Sequence, residues 1–340
     1  MIVEQLDATT EQRWDAYVNA RPQATFFHRA GWLRAIETST GHRSYSLYAS
    51  DNGTLVGILP LVRTRSLLFG HALVSTPFCV YGGVVADNDA ARQALLEAAQ
   101  QLAEQLQVDY LELRHRQPQT DGWPSKVRHA TFRRQLDASD DANLQAMKRK
   151  QRAVIRQAIK TGHDTHFDPD LNDFYRVYST SVRNLGTPVF SKAFFAALQR
   201  EFADCTEVVS VRHQGVTTAA LMSFYFRDEV LPYYGGGLPQ ARHLKSMDYM
   251  YWDQMCRSVK QGISTYDFGR SKLDSGPYHY KRHWGFEPEP LCYEYHLVKA
   301  RALPDLSPNN PRYRYFIEGW KRLPLFVSQQ LGPMLSKHLG

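Results

Sequence analysis

The chain has 340 residues, of which 43% are apolar and 22% charged, the proportions of an ordinary globular protein rather than a disordered or fibrous one. That length exceeds what one hydrophobic core usually supports, so two domains of roughly 150 residues are expected. A net charge of +7 suits an anionic ligand such as a nucleotide, coenzyme A, tRNA or a membrane surface, and selects none of them.

Early on, Asp7 and Thr9 precede a helical stretch from Glu11 to Ala20, and a second helix runs from about Arg29 to Thr38 until Gly41 stops it. Tyr45 to Ala49 and Leu55 to Leu61 read as strands around the turn Asp51-Asn52-Gly53. Ser75 to Val84, with Tyr81-Gly82-Gly83 inside it, leads to a helix from Asp89 to Gln107 and a strand from Val108 to Arg114.

The same order returns later. A helix (Lys192 to Phe202) precedes strands Val208 to Arg212 and Thr217 to Phe226 around Gln214-Gly215. Then come Tyr234-Gly235-Gly236-Gly237, a helix from Met247 to Gln261 and a strand from Thr265 to Arg270. Tyr-Gly-Gly recurs after a pair of strands and before a helix, and each following strand ends in arginine (Arg114, Arg270). An internal duplication of one α/β unit accounts for this.

Between the copies, Ser139 can cap a helix whose first turn holds Asp140 and Asp141, and Gly162 can end it. Leu144, Met147, Val154, Ile155 and Ala158 form its apolar stripe, and Lys148, Arg149, Lys150, Arg152, Arg156 and Lys160 its basic face. Most such faces are merely solvated; phosphate or RNA contact is the sharper reading. Prolines 304, 308 and 311 close the second copy. The tail from Tyr313 to Leu339 mixes aromatics and cations, which suits packing back on the domain or a membrane interface. The expected division is 1–138 for the first domain, 139–162 for a basic linker helix, 163–303 for the second, catalytic domain and 304–340 for a helical tail.

Cys79, Cys205, Cys256 and Cys292 lie far apart with no Cys-x-x-Cys pair, which argues for free thiols in a reducing compartment rather than a disulfide or zinc scaffold. Met1 to Gln5 lacks a signal-peptide core and no stretch has the apolar length of a membrane span. A cytoplasmic protein is expected, with the inner face of the membrane as the place the tail suggests.

For chemistry, no Gly-x-Ser-x-Gly, no Walker loop, no Gly-x-Gly-x-x-Gly after the first strand and no His-Glu-x-x-His occurs. No metal site is expected. The densest polar signal is Tyr266-Asp267-Phe268-Gly269-Arg270-Ser271-Lys272, followed by Tyr280-Lys281-Arg282-His283-Trp284-Gly285-Phe286. A glycine-interrupted strand exit with this many cations beside aromatics is hard to justify by packing alone. Gly235, Gly236 and Gly237, read as a loop, lead toward Arg242, Lys245 and Ser246 at a helix start, a set that can offer N–H groups and cations to a pyrophosphate or a tRNA end.

The order hairpin, Tyr-Gly-Gly, helix, Asp-Phe-Gly-Arg and Tyr-Lys-x-x-Trp-Gly-Phe resembles the FemAB-related acyltransferases, in particular the subgroup associated with exosortase (PEP-CTERM) and exopolysaccharide loci. The likeness includes Lys148 to Arg156 and the run Asn184-Leu185-Gly186-Thr187-Pro188-Val189-Phe190. It implies an α/β (α+β) fold of two tandem GNAT-like domains with mixed central sheets and a C-terminal helical tail. It also implies transfer of an acyl or aminoacyl group from acyl-CoA or aminoacyl-tRNA to an amine or hydroxyl of a cell-envelope or exopolysaccharide precursor, with no tightly bound cofactor. Tyr280-Lys281 matches the family's Phe-Lys motif, whose lysine offsets charge at the reacting carbonyl. Asp267, His279 and His283 are the candidate proton acceptors. By position, Arg34, Tyr81, Arg183 and Tyr234 correspond to acceptor-binding residues, and Gly235, Gly236, Arg242, Lys245, Ser246 and Arg270 to the donor side. The long helical arm of some Fem ligases is missing between Ala241 and Ser246, which weakens tRNA as donor. The alternative class is a non-catalytic adaptor, binding RNA or polysaccharide through the basic helix, or a membrane-surface scaffold working through the tail.

Overall fold

A computed structural model describes residues 1–66, 70–304 and 311–338. Pro308 and Leu339 lie outside them. The chain forms two compact units, one of Met1–Val127, Leu291–Asn310 and Lys337–Gly340, the other of Arg128–Pro290 and Pro311–Ser336.

In the first unit an antiparallel sheet runs in the order Ile2–Gln5, Leu47–Asp51, Thr54–Leu59, Val85–Ala86. The hairpin turn is the expected one, with Asn52 and Gly53 both at positive φ (48° and 79°). Pro60 cuts the expected strand from Leu55 to Leu61, and Val62–Ser66 starts a second ladder. That ladder continues through Gly70–Val74, parallel to Tyr110–His115, which pairs in turn with Cys292 to Leu297 of the strand Pro288–Leu297. Helix Asp89–Gln105 is capped by the Asn88 side chain, which accepts from the Ala91 N–H. It buries Leu95, Leu96, Ala99 and Ala103 against Leu47, Leu59, Leu111 and Leu113.

In the second unit the strand order is His163–Phe167, Thr206–His213, Val216–Phe226, Glu229–Gly237, Thr265–Asp267, and then Arg133 to Gln135 of the strand Ser125–Gln135. All neighbours are antiparallel except Glu229–Gly237 and Thr265–Asp267, which are parallel. Val216–Phe226 is buried almost throughout, as a central strand must be. Helix Ser246–Lys260 lies within one residue of its expected span at both ends. Helices Asn172–Asn184 and Gly276–His283 were not expected.

The units do not divide at the linear boundaries of 138 and 303 expected from the sequence. Residues 128–135 fall in the expected first domain yet pair within the second unit's sheet, and residues 291–297 fall in the expected second domain yet pair within the first unit. Nor is 139–162 one continuous linker helix. It is two helices, Asp140–Gln145 and Arg149–Lys160, and the second buries Gln151, Ile155 and Ala158 within the second unit. Lys148 interrupts them in an extended conformation, its N–H donating to the His283 carbonyl at 3.0 Å.

Helices Pro311–Lys321 and Leu325–Ser336 pack on Asn172–Asn184. Gln329 Nε2 donates to Ser179 Oγ at 2.8 Å, and Arg183 Nη1 donates to the Leu323 carbonyl at 3.3 Å. No helix among the described residues is long and apolar enough to cross a membrane.

Candidate active site

Strands Glu229–Gly237 and Thr265–Asp267 share only two registered pairs, Glu229 with Thr265 and Val230 with Tyr266. Past these the two segments take different partners. The glycine strand carries a register shift between Met222 and Ser223 that leaves Tyr233 as an extra residue, which bends it. The chain beyond Asp267 stays with the strand Ser125–Gln135, through the Phe268 N–H on the Phe132 carbonyl (2.8 Å) and Ser271 and Lys272 opposite Ala130 and His129.

Lys281 lies at the turn that follows this parting. It sits on helix Gly276–His283, which Ser275 caps and whose first turn includes Pro277. Its side chain is 9% exposed, and Nζ donates to the Gly269 and Arg270 carbonyls at 3.0 Å each. The rings of Phe132 and Phe268 flank it, with centroids 5.4 and 5.6 Å from Nζ. Burial pushes the amine down to about 7, opposed by the charge of Asp267 and aided by Arg270. An ammonium has three N–H groups, so one remains after the two carbonyls are served.

Asp267, expected as a proton acceptor, uses its carboxylate structurally. Oδ1 accepts from the Gly269 N–H at 2.8 Å and the Thr131 hydroxyl at 3.3 Å, while Oδ2 lies 3.5 Å from Arg133 Nε. It shapes the turn whose carbonyls hold Lys281. Gly269 takes a positive φ of 67° there, which glycine adopts without strain. His283 and His279, the other candidate proton acceptors, are four residues apart on the exposed side of this helix, each two residues and hence about 200° from Lys281. Burial and then the charges of Lys148, Lys150, His279 and Arg282 lower the His283 imidazole. Neither histidine joins the lysine.

The donor-side residues need correcting. Gly235, Gly236 and Gly237 are strand, not loop, registered against Leu221, Ala220 and Ala219. A Cβ on Gly236 would lie 2.9 Å from Ser181 Cβ and 3.1 Å from Tyr178 Cα, so the glycine exists to admit helix Asn172–Asn184. Gly236→Val is accordingly expected to cost about 1–3 kcal/mol in urea unfolding; unchanged stability would show that the helix gives way freely. Downstream, Arg242 is exposed on the short helix Ala241–Leu244, and Lys245 holds φ 59° between the two helices. Ser246 opens the next helix, buried, with an Oγ that has no hydrogen-bond partner. Arg270 is half-buried at the Lys281 turn.

The acceptor-side residues lie two in each unit. Tyr234 is a buried hub, its ring within 6.5 Å of those of Tyr178, Phe190, Phe194, Phe195, Phe224 and Tyr233. Arg183 holds Asn184 and the Leu323 carbonyl and so ties helix Asn172–Asn184 to the C-terminal segment. In the first unit, Arg34 is ion-paired with Glu11. Tyr81 is buried beside Phe27 with Arg116 over its ring. The two Tyr-Gly-Gly copies also differ in conformation, since Tyr81 to Gly83 lie in irregular chain and Tyr234 to Gly236 in a strand.

One pair near Lys281 escaped sequence reasoning. Asp248, in the first turn of helix Ser246–Lys260, accepts from the Tyr280 hydroxyl at 3.1 Å and from Gln151 Nε2 at 2.8 Å. Burial raises its carboxyl above the usual range. An aspartate at that position reads from sequence only as a helix-dipole partner, and nothing there signals a tyrosine 32 residues on. No cluster of three or more histidines, cysteines or carboxylates that could hold a metal occurs among the described residues.

Residues 143–282 match the acetyltransferase (GNAT) domain family. Among solved structures the chain is similar to FemX, at 14% identity and a TM-score of 0.68 over 93% of this chain and 100% of that one. It is similar to a tandem GNAT protein from the clavulanic acid biosynthesis pathway, at 13% identity and TM-score 0.55 over 87% and 98%. L-PGS from Bacillus licheniformis follows at 14% and 0.52 over 81% and 93%. No curated protein matches the sequence. At these identities the likeness is one of fold. The expected class is what the chain has, mixed α/β with two tandem GNAT-like domains and a C-terminal helical tail.

Proposed function

We propose that the chain is an acyltransferase that moves an acyl or aminoacyl group onto an amine or hydroxyl of a cell-envelope or exopolysaccharide precursor. The observation that carries this reading is Lys281, a buried amine fixed on the Gly269 and Arg270 carbonyls where two parallel strands part. The acceptor attacks the donor carbonyl, forming the new C–N or C–O bond. The oxyanion of the tetrahedral intermediate is met by the remaining N–H of the Lys281 ammonium. The C–S or ester C–O bond to the carrier then breaks, and the proton lost by the acceptor ends on the leaving thiolate or alkoxide. Asp267 acts at one remove by holding the turn, and the Tyr280–Asp248 pair fixes the tyrosine beside the lysine.

The acetyltransferase domain match favours acyl-CoA as donor, with its phosphates near Arg242, Lys245 and the start of helix Ser246–Lys260; aminoacyl-tRNA is the second donor. Such precursors are met in the cytoplasm at the membrane's inner face. Thermal unfolding with acetyl-CoA, longer acyl-CoAs and charged tRNA in turn tests the donor. A ligand at 100 times its Kd is expected to add about 2.7 kcal/mol of stability. Stabilisation by acyl-CoA alone supports the first donor, and by charged tRNA alone replaces it with the second. No stabilisation by either, together with no acyl transfer to amino sugars or amines by mass spectrometry, refutes the reading.

A further inference from the structure

The two C-terminal helices have one packed face and one bare face. On the packed side, Ile317 covers Gly186, Gly332 lies against Val189, and Trp320 is buried. The bare side shows Tyr315 (88% exposed), Phe316, Phe326 (64%), Leu331 and Met334 (64%). Single exposed apolar residues are ordinary, but a run of large ones along two helices is not.

Charge says what covers it. Helix Leu325–Ser336 contains no charged residue. Helix Pro311–Lys321 and the residue after it bring Arg314, Lys321 and Arg322 around a single acid, Glu318, whose carboxyl is lowered by Lys321 first and then by Arg322 and Arg314. With Arg312, residues 311–322 hold four cations against one carboxylate, a net charge of +3. A second copy docking on the same patch would set cations against cations, because a two-fold interface pairs a surface with itself. A bilayer with anionic headgroups complements both features, taking the aromatics and aliphatics at its interface and the arginines at its phosphates.

We infer that the outer face of helices Pro311–Lys321 and Leu325–Ser336 docks on an anionic phospholipid surface. This goes beyond acyl transfer and is read without substrate, so either idea can fail alone. In flotation, the intact protein is expected to bind phosphatidylcholine vesicles containing phosphatidylglycerol about tenfold more tightly than pure phosphatidylcholine, and less tightly in high salt. Phe326→Gln combined with Met334→Gln is expected to weaken binding to both about tenfold with an unchanged melting temperature. Arg314→Gln combined with Arg322→Gln should lower the preference for the anionic lipid and leave binding to pure phosphatidylcholine unchanged. No binding to the mixed vesicles, or undiminished binding by the Phe326→Gln/Met334→Gln protein, overturns the inference. So does light scattering that shows a dimer lost in that double variant while vesicles are ignored, which would assign the face to a second copy.

Discussion

Lys281→Met is expected to lower kcat/KM about 10²–10³-fold, the usual effect of removing one preorganised donor from a developing oxyanion. Methionine keeps the length of the stem between Phe132 and Phe268, so packing survives and the loss reports on the charge. With the amine lowered to about 7, the ammonium form is lost as pH rises through that value, and kcat/KM should fall with it. A limb that rises through 7 instead would make the neutral amine the working form, a base rather than an oxyanion partner. Stability gives an independent check with a definite sign. The folded pKa is below the usual 10.5 of a free lysine, so burying the ammonium costs stability below about 7. That cost is relieved between 7 and 10.5, because only the unfolded chain remains protonated there. Wild-type stability relative to Lys281→Met should therefore climb by about 1.4 kcal/mol per pH unit across that window. A flat difference in urea unfolding would mean that Asp267 and the two carbonyls keep the lysine charged after all.

The local grammar of this chain is legible because it depends on neighbours in sequence. Asn52-Gly53 forces a tight turn by positive φ, and Ser139 caps its helix with its own side chain. The duplication is legible for the same reason, since each copy repeats hairpin, helix and strand. Lys281 stands out because cations beside aromatics are uncommon in a core, and it proves buried among them.

What could not be read depends on partners far away in the chain. Residues 128–135 and 291–297 each have ordinary strand character, and periodicity does not say which sheet accepts them. Gly235 to Gly237 looked like punctuation, whereas Gly236 admits the helix Asn172–Asn184, and Gly235 and Gly237 lie against Tyr251 and Met250 and against Ala241 and Met247. Arg183 and Tyr234 were placed by likeness of position. Their surroundings, a carbonyl of the C-terminal segment and a nest of aromatic rings, belong to packing. The basic stretch 148–160 shows the same limit, because its solvated face was legible and its docking through Gln151 and Ile155 was only implied by spacing.

Glu294→Leu is expected to cost about 3–5 kcal/mol, because it leaves several buried donors unsatisfied at about 1–3 kcal/mol each. Glu294 sits on the strand that closes the first unit from the far end of the chain, and its side chain is 2% exposed. It accepts from His115 Nδ1 at 2.6 Å, from the N–H groups of Gln119 and Thr120 at 3.0 and 2.9 Å, and from the Thr120 hydroxyl. Leucine would leave all of these donors without a partner. The damage would also travel, because His115 Nε2 accepts the Val84 N–H at 3.1 Å at the end of the segment that carries Tyr81. Burial opposes the charge of Glu294, but the hydrogen bonds from His115 and Thr120 outweigh it and lower the carboxyl below its usual 4.5. Its contribution is then full above 4.5 and lost as pH falls through the lower folded value. The stability gap between wild type and Glu294→Leu in urea should accordingly be wide at neutral pH and narrow on acidification below 4.5. Gly83→Ala attacks the same network from the other side, since its Cβ would fall 1.9 Å from His115 Cδ2, and a comparable loss is expected. If Glu294→Leu unfolds at the wild-type urea concentration, the ladder from Cys292 to Leu297 alone holds the exchanged strand, and the network serves only to fix the Tyr81 segment.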